Sequence, residues 1–172
     1  MPQWFARAGQ PLDATDTAAI HSLRGALDIG LDTTETAALE VIRWPDLARI
    51  LRDEDRDNRW WDAEEGERER LWSIASERMT ESALAAALID AAASATADVC
   101  AAAQRATAAA FAGAGDPSVA RTASDAALLA VHQHALAEMA NAGESHYFAI
   151  KYRLFAAGRW PLGPRAGRFV IL

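Results

Sequence analysis

An alanine-rich stretch from Thr80 to Ala142 constrains the fold of this 172-residue chain more than any other feature. Alanine is the strongest helix former because it loses no side-chain entropy on folding, so both arms of the stretch are predicted to be helical. They are separated by a break at Gly113–Pro117, in which Asp116 can cap the second helix ahead of the proline. The sequence therefore predicts two long helices, Thr80–Phe111 and Pro117–Ala142, packed antiparallel at the centre of the protein.

The remaining segments are predicted to complete an all-α fold, a helical bundle formed by a single domain over residues 1–172. In the first central helix the apolar residues recur at three- to four-residue spacing, which is typical of a helix with one buried face. A shorter helix is predicted to begin near Thr33–Thr36 and to continue through residues 37–42. A helical bundle around the alanine-rich hairpin is the expected architecture.

The two ends of the chain are expected to pack on this bundle rather than to join it as helices. Residues 1–11 are interpreted as an arm, and residues 159–172 as a short extended tail. Because the last four residues of the tail are apolar, Trp160 and Phe169 are predicted to be buried. A packed tail would also bring three arginines close to acidic helices, namely Arg159, Arg165 and Arg168.

The distribution of charge restricts the partners that the protein can have. The net charge is −7; residues 1–79 carry 17 acidic and 10 basic side chains, whereas residues 151–172 carry five basic and no acidic ones. An acidic surface repels nucleic acid, so nucleic-acid binding is not expected of the whole protein. A local nucleic-acid-associated role through the arginine-rich tail is a third functional hypothesis.

Two further features bear on the compartment. The single cysteine, Cys100, cannot form an internal disulfide, which favours a reducing, cytoplasmic environment. The alanine-rich stretch is interrupted by Asp90, Asp98 and Arg105 at intervals shorter than the ~20 apolar residues that a membrane span requires. No contact with a membrane is therefore predicted.

The most charged segment, residues 52–70, contains the candidate partner-binding residues. Trp60 and Trp61 lie side by side among its carboxylates, and adjacent positions on a helix point about 100° apart. One indole is therefore predicted to face the core and the other to face outward, where exposed tryptophans are typical of partner surfaces. The predicted partner-binding set is Trp60, Trp61, Glu64 and Glu65. In the competing interpretation both tryptophans fold inward and the carboxylates only solvate a helix.

The histidines support an alternative, enzymatic hypothesis. His132 and His134 are two residues apart, which places their rings about 200° apart on a helix and excludes a shared metal ion. His134 and Glu138 have the i,i+4 spacing of a ligand pair, and His146 follows in the next predicted helix. The alternative function is thus an enzyme or metal-dependent hydrolase with these three residues in one pocket. The main interpretation predicts no catalytic residue, metal or cofactor, because no familiar reaction motif is present.

A short motif follows the alanine-rich hairpin. Tyr147, Ala149 and Lys151 stand in the order Tyr-x-Ala-x-Lys. With the hairpin and this motif, residues 83–157 resemble immunity proteins found beside bacterial polymorphic toxins, which are small all-α proteins that bind and neutralise a cognate toxin. The resemblance implies a non-enzymatic protein-binding module with a protein partner, and the acidic charge favours a basic toxin. It implies no catalytic residue.

Overall fold

The computed structural model describes residues 1–27, 38–52, 58–111 and 116–172. About two-thirds of the described residues are helical, so the prediction of a mainly helical fold is confirmed. Six helices and three strands lie within the described ranges. In chain order they are α1 (Ala14–Gly25), β1 (Ala38–Val41), α2 (Trp44–Arg52), α3 (Asn58–Ser76), α4 (Glu81–Ala110), α5 (Pro117–Met139), α6 (Tyr147–Ala156), β2 (Pro161–Arg165) and β3 (Arg168–Ile171).

Helices α4 and α5 are the predicted alanine-rich pair, and they pack against each other more extensively than any other two elements. Each begins at a side-chain cap. The Thr80 hydroxyl accepts a hydrogen bond from a backbone N–H of α4, and the Asp116 carboxylate accepts one from the N–H of Ser118 at 2.9 Å. With so short a connection, two helices that pack along their lengths must run antiparallel. The predicted break at 113–115 lies outside the described residues.

Helix α5 contributes to both parts of the core, as do α4, α6 and β3. Ala123, Ala127 and Ala130 belong to a cluster with the N-terminal arm and α2. Leu136 and Ala137, further along α5, belong to a second cluster with α1, α3 and α6. Small side chains on α5 let neighbouring backbones approach closely. Aromatic residues of the arm, α6 and the C-terminal tail fill the space around them.

Helix α4, in contrast, is largely exposed. Its buried residues include Leu84, Leu88 and Val99 on one side, and most of the opposite side is alanine open to solvent. Within the described ranges it is the one helix whose length and composition would allow it to cross a membrane, although only 17% of its most apolar stretch is buried in the protein. A long, weakly covered apolar helix face is therefore part of the fold.

The all-α prediction is wrong in one respect, because three strands form a sheet in the order β1-β3-β2. Strands β2 and β3 form an antiparallel hairpin, and β1 pairs in parallel with β3, with Leu39 opposite Phe169. For residues 38–41 the sequence predicts a helix instead. Pairing with β3 gives them hydrogen-bond partners about 130 residues away, and this overrides the local helix propensity. The predicted start of that helix at Thr33–Thr36 lies outside the described residues.

The C-terminal tail is packed as the sequence predicts. Trp160 and Phe169 are both buried. Arg159 forms an ion pair with Asp16 at 2.8 Å, whereas Arg168 pairs with a strand residue, Glu40, at 3.1 Å. The guanidinium of Arg165 donates to the carbonyl oxygen of Ile50 at 3.0 Å. The tail is therefore an integral part of the structure, and its hairpin covers the core.

Gly158, at the end of α6, allows the N-terminal arm to pack closely, and its replacement by alanine is expected to destabilise the protein. Its φ of +92° is unfavourable for other residues, and an added Cβ would lie 2.9 Å from the backbone nitrogen of Arg7. We expect Gly158→Ala to lower the free energy of unfolding by about 2 kcal/mol. Urea denaturation measures this change.

Gly66 provides the matched control. It lies within α3, and an added Cβ would meet nothing within 4 Å. Because glycine weakens a helix interior, Gly66→Ala is expected to raise the free energy of unfolding by about 0.5–1 kcal/mol. Equal shifts for the two substitutions would show that the close approach at Gly158 does not contribute to stability.

Candidate partner-binding surface on helix α3

Helix α3 directs the predicted partner-binding residues in two different directions. Residues four apart share one face of a helix, so Trp60 and Glu64 lie on one side and Trp61 and Glu65 on another. The exposed fraction is 4% for Trp60 and 38% for Trp61. The prediction that one indole faces the core and the other faces outward is confirmed. Trp61 and Glu65 are the members of the predicted set that a partner can reach.

The assignment of Trp60 and Glu64 to a partner surface is corrected by their burial. The Trp60 ring packs edge-on against Tyr147 and Phe169, each at a centroid distance of 5.5 Å. Gly163 lies so close that a Cβ there would be 3.3 Å from the indole nitrogen of Trp60. Trp60 is thus a core residue that joins α3 to α6 and to the C-terminal hairpin.

Glu64 is the centre of a buried hydrogen-bond network. Its carboxylate accepts hydrogen bonds from the Lys151 ammonium group, from the Gln133 amide at 2.7 Å and from the Tyr147 hydroxyl at 2.9 Å. Lys151 also donates to the Gln133 carbonyl oxygen at 3.0 Å. The four side chains come from α3, α5 and α6, and all of them are buried. The network therefore holds three helices together through a paired internal charge.

The same geometry explains the protonation of Tyr147. Burial raises the pKa of its hydroxyl well above the ordinary value, and the negative charge of Glu64 acts in the same direction. Tyr147 therefore stays protonated and donates to Glu64. Both carboxylate oxygens of Glu64 are already engaged by protein groups. This pattern is typical of a structural network and leaves the carboxylate no free position for a ligand.

The outward face of α3 combines Trp61 with acidic side chains. Asp62, Glu65 and Glu69 are exposed around it. The side-chain hydrogen bond from Arg68 lowers the pKa of Glu65, and the corresponding bond from Arg70 lowers the pKa of Glu67. The negative charges of Glu65 and of the neighbouring Glu67 are thus partly compensated by arginines on the same helix. The acidic part of the predicted surface at residues 53–57 lies outside the described residues.

His146 has a structural role at the start of α6. Its Nδ1 accepts the backbone N–H of Phe148 at 3.1 Å, so this nitrogen carries no proton and caps the helix. The other ring nitrogen, Nε2, lies 2.6 Å from a carboxylate oxygen of Glu67 and is therefore the donor. Both nitrogens are committed to protein groups, which removes His146 from the predicted pocket.

The predicted histidine pocket is accordingly not assembled. His134 stacks on Tyr152 with ring centroids 4.3 Å apart, and its Nε2 lies 3.7 Å from Glu138. His134 and Glu138 line a cavity of about 270 Å³, and His146 is not among the residues that line it. Across residues 1–27, 38–52, 58–111 and 116–172, no three histidine, cysteine or acidic side chains are grouped so that they could hold a metal ion.

Comparison with known proteins yields no relative. No protein-family model matches the chain, and no curated protein sequence or solved structure matches it significantly. The resemblance to immunity proteins therefore stays a prediction. The chemistry of the protein's own surface is the remaining guide to its function.

Proposed function

We propose that this protein binds a protein partner, without catalysis, through the outward face of α3. The observation that carries the proposal is the exposed Trp61 indole among the carboxylates Asp62, Glu65 and Glu69. Tryptophan is the side chain most enriched among residues that dominate binding energy, because a large rigid ring is desolvated at little entropic cost. In this arrangement Trp61 is the apolar anchor, and Glu65 forms part of the polar rim.

The charge of the protein favours a basic partner. The net charge is −7, and the segment that precedes α3 in the sequence, residues 53–57, contains four acidic side chains and one arginine. Negative potential of this kind attracts a positively charged protein and raises the rate of encounter. We propose a basic bacterial toxin as the partner, neutralised in the cytoplasm by an immunity protein whose helices form a bundle.

The other hypotheses lose support from the positions of their residues. The enzymatic alternative requires His134, Glu138 and His146 in one pocket, and His146 is engaged by Glu67 instead. A nucleic-acid role would require several exposed tail arginines, whereas Arg159 and Arg165 are buried and Arg168 pairs with Glu40. Protein binding is the function that uses groups already at the surface.

Two single substitutions test the proposed surface. A photo-crosslinking amino acid at the exposed neighbouring position 62, in cells of the source organism, identifies the partner, and calorimetry with the purified pair then measures affinity. We expect Trp61→Ala to raise the Kd at least tenfold, because truncation of an anchoring tryptophan costs about 2 kcal/mol or more. Glu65→Lys is expected to slow association with the partner. The difference in association rate between this variant and the original protein should shrink as salt is added.

Leu129 on α5 supplies the matched control, because it is exposed to a similar extent, at 42%. Leu129→Ala should leave the affinity unchanged, and a crosslinker at position 129 should not capture the same protein. All three variants should retain the melting temperature of the original protein. A partner that binds Trp61→Ala with full affinity would exclude the outward face of α3 as the interface.

A further inference from the structure

A cavity of about 680 Å³ lies between the N-terminal arm and helix α4, on a different element from the α3 surface. Its aromatic wall is formed by Trp4 and Phe5 of the arm and Trp44 of α2. Its other wall is the alanine face of α4, including Ala101 and Ala106. Because alanine side chains end at Cβ, this wall leaves the space open. The volume lies within the range of sites that bind small molecules.

The arm that forms this cavity is held rigidly in place. The backbone N–H of Gln3 donates to the carbonyl oxygen of Ala156 at 2.7 Å, and that of Arg7 donates to Gly158 at 3.2 Å. Phe5 has a φ of +60°, which is unfavourable for a bulky residue, and its ring packs edge-on against Trp44 at 5.7 Å. Such a conformation persists only where the surrounding structure fixes it. The aromatic wall is therefore preformed.

Two opposite charges lie on the α4 side of the cavity. Asp98 and Arg105 both line it, and both are exposed. Neither side chain forms a hydrogen bond or an ion pair with another described residue. They are seven residues apart on one helix, which corresponds to a separation of about 10 Å along the axis. A ligand on the apolar surface between them would meet a negative charge at one end and a positive charge at the other.

We propose that this cavity binds a short apolar peptide with free termini. The peptide carboxylate pairs with the Arg105 guanidinium, which presents a planar set of donors suited to a carboxylate. The peptide ammonium group pairs with Asp98, and the apolar side chains lie between the alanine face and the rings of Trp4 and Trp44. An extended tripeptide spans about 10 Å, which matches the separation of residues 98 and 105 along the axis of α4. Length, polarity and apolar surface thus specify the same ligand class.

The probe for this proposal is trileucine with free termini, titrated into the full-length protein by calorimetry. We expect saturable binding that weakens about fivefold when the peptide is either N-acetylated or C-amidated, because each change removes one ion pair. Arg105→Gln should weaken binding of free trileucine about fivefold and leave binding of the amide unchanged. Asp98→Asn should likewise weaken binding of free trileucine about fivefold and leave binding of the N-acetylated peptide unchanged.

A pair of substitutions on α4 separates the cavity from the rest of the helix. Ala101→Phe fills the cavity and should weaken trileucine binding more than tenfold. Ala93→Phe changes an exposed residue of the same helix outside the cavity and should leave binding unchanged. Circular dichroism establishes that both variants keep the helical content.

Three outcomes would overturn the proposal. The first is no detectable heat with trileucine, triphenylalanine or trivaline at millimolar concentration. The second is equal affinity for the free peptide and for the peptide blocked at both ends, which would leave the two charges without a role. The third is a doubling of the mass in solution that Ala101→Phe abolishes, which would make a second copy of this chain the occupant. None of these outcomes depends on the α3 surface, so the partner-binding proposal is tested separately.

Discussion

Replacing Lys151 with methionine is expected to lower the free energy of unfolding by about 3–5 kcal/mol. Lys151 is buried and forms the ion pair with Glu64. Methionine preserves most of the side-chain volume but removes the positive charge, so the carboxylate would remain in the core without its counter-ion. Loss of one partner of a buried ion pair is costly because the other charge stays desolvated. Urea denaturation followed by circular dichroism measures the change.

A double substitution distinguishes the charge effect from a packing effect. In Glu64→Met/Lys151→Met both charges are absent, so the loss of stability should be smaller than in Lys151→Met alone. It should not vanish, since Gln133 and Tyr147 would lose the carboxylate to which they donate. The single variant Glu64→Met completes the comparison. If the double variant lost as much free energy of unfolding as Glu64→Met and Lys151→Met lose together, the two charges would not interact.

Arg153 on the same helix is the control for Lys151. Half of its side chain is exposed, and its ion-pair partner Glu144 is more exposed still. Ion pairs at the surface contribute about 0–1 kcal/mol because water screens them. Arg153→Met is therefore expected to change the free energy of unfolding by less than about 1 kcal/mol. A loss as large as that of Lys151→Met would contradict the argument from burial.

The features that can be predicted correctly from the sequence are those that nearby residues determine. The two alanine-rich helices follow from composition, and their first turns from the caps Thr80 and Asp116. The different directions of Trp60 and Trp61 follow from helix geometry alone, because adjacent positions point about 100° apart. Each of these features depends on residues that are close together in the sequence, which is why local reasoning is sufficient.

Long-range contacts decide the features that local patterns do not predict. Strand β1 exists because β3, about 130 residues later, supplies its hydrogen-bond partners. The burial of Glu64 depends on Lys151, which is 87 residues away. One signal for the burial of Glu64 is present in the sequence. Glu64 lies four residues after Trp60 and must share its face of the helix, so it is buried if Trp60 is the inward indole. Since Trp60 and Trp61 are chemically identical, only their distant neighbours determine which indole faces inward.

Arg159 is the second residue whose loss is expected to have a large effect, because it joins both ends of the chain. Its side chain is fully buried and donates to the Asp16 carboxylate at 2.8 Å. It also donates to three carbonyl oxygens of the arm, those of Arg7 at 2.5 Å, Gln10 at 2.6 Å and Pro11 at 2.6 Å. A single guanidinium group can satisfy four acceptors because it carries five N–H donors.

Replacing Arg159 with alanine is expected to lower the free energy of unfolding by about 3 kcal/mol, toward the lower end of the range for broken buried ion pairs. The loss of stability is limited because Arg7 also pairs with Asp16, at 2.7 Å, and would still compensate the negative charge of Asp16. The arm, in contrast, loses three hydrogen bonds to Arg159 at once. Arg159→Lys should recover part of the stability, because lysine keeps the charge but cannot reach all four acceptors with its compact ammonium group.

Limited proteolysis separates loosening of the arm from general destabilisation. Trypsin should cleave after Arg7 much faster in Arg159→Ala, at a urea concentration too low to unfold either protein, because the arm would detach before the rest of the chain unfolds. Arg168→Ala is the control: this tail arginine is about half exposed and pairs with Glu40 at 3.1 Å. Its cleavage rate should match that of the unsubstituted protein. If Arg159→Ala lost stability without faster cleavage at Arg7, Arg159 would act only through Asp16, and the arm would be held by the contacts around Gly158.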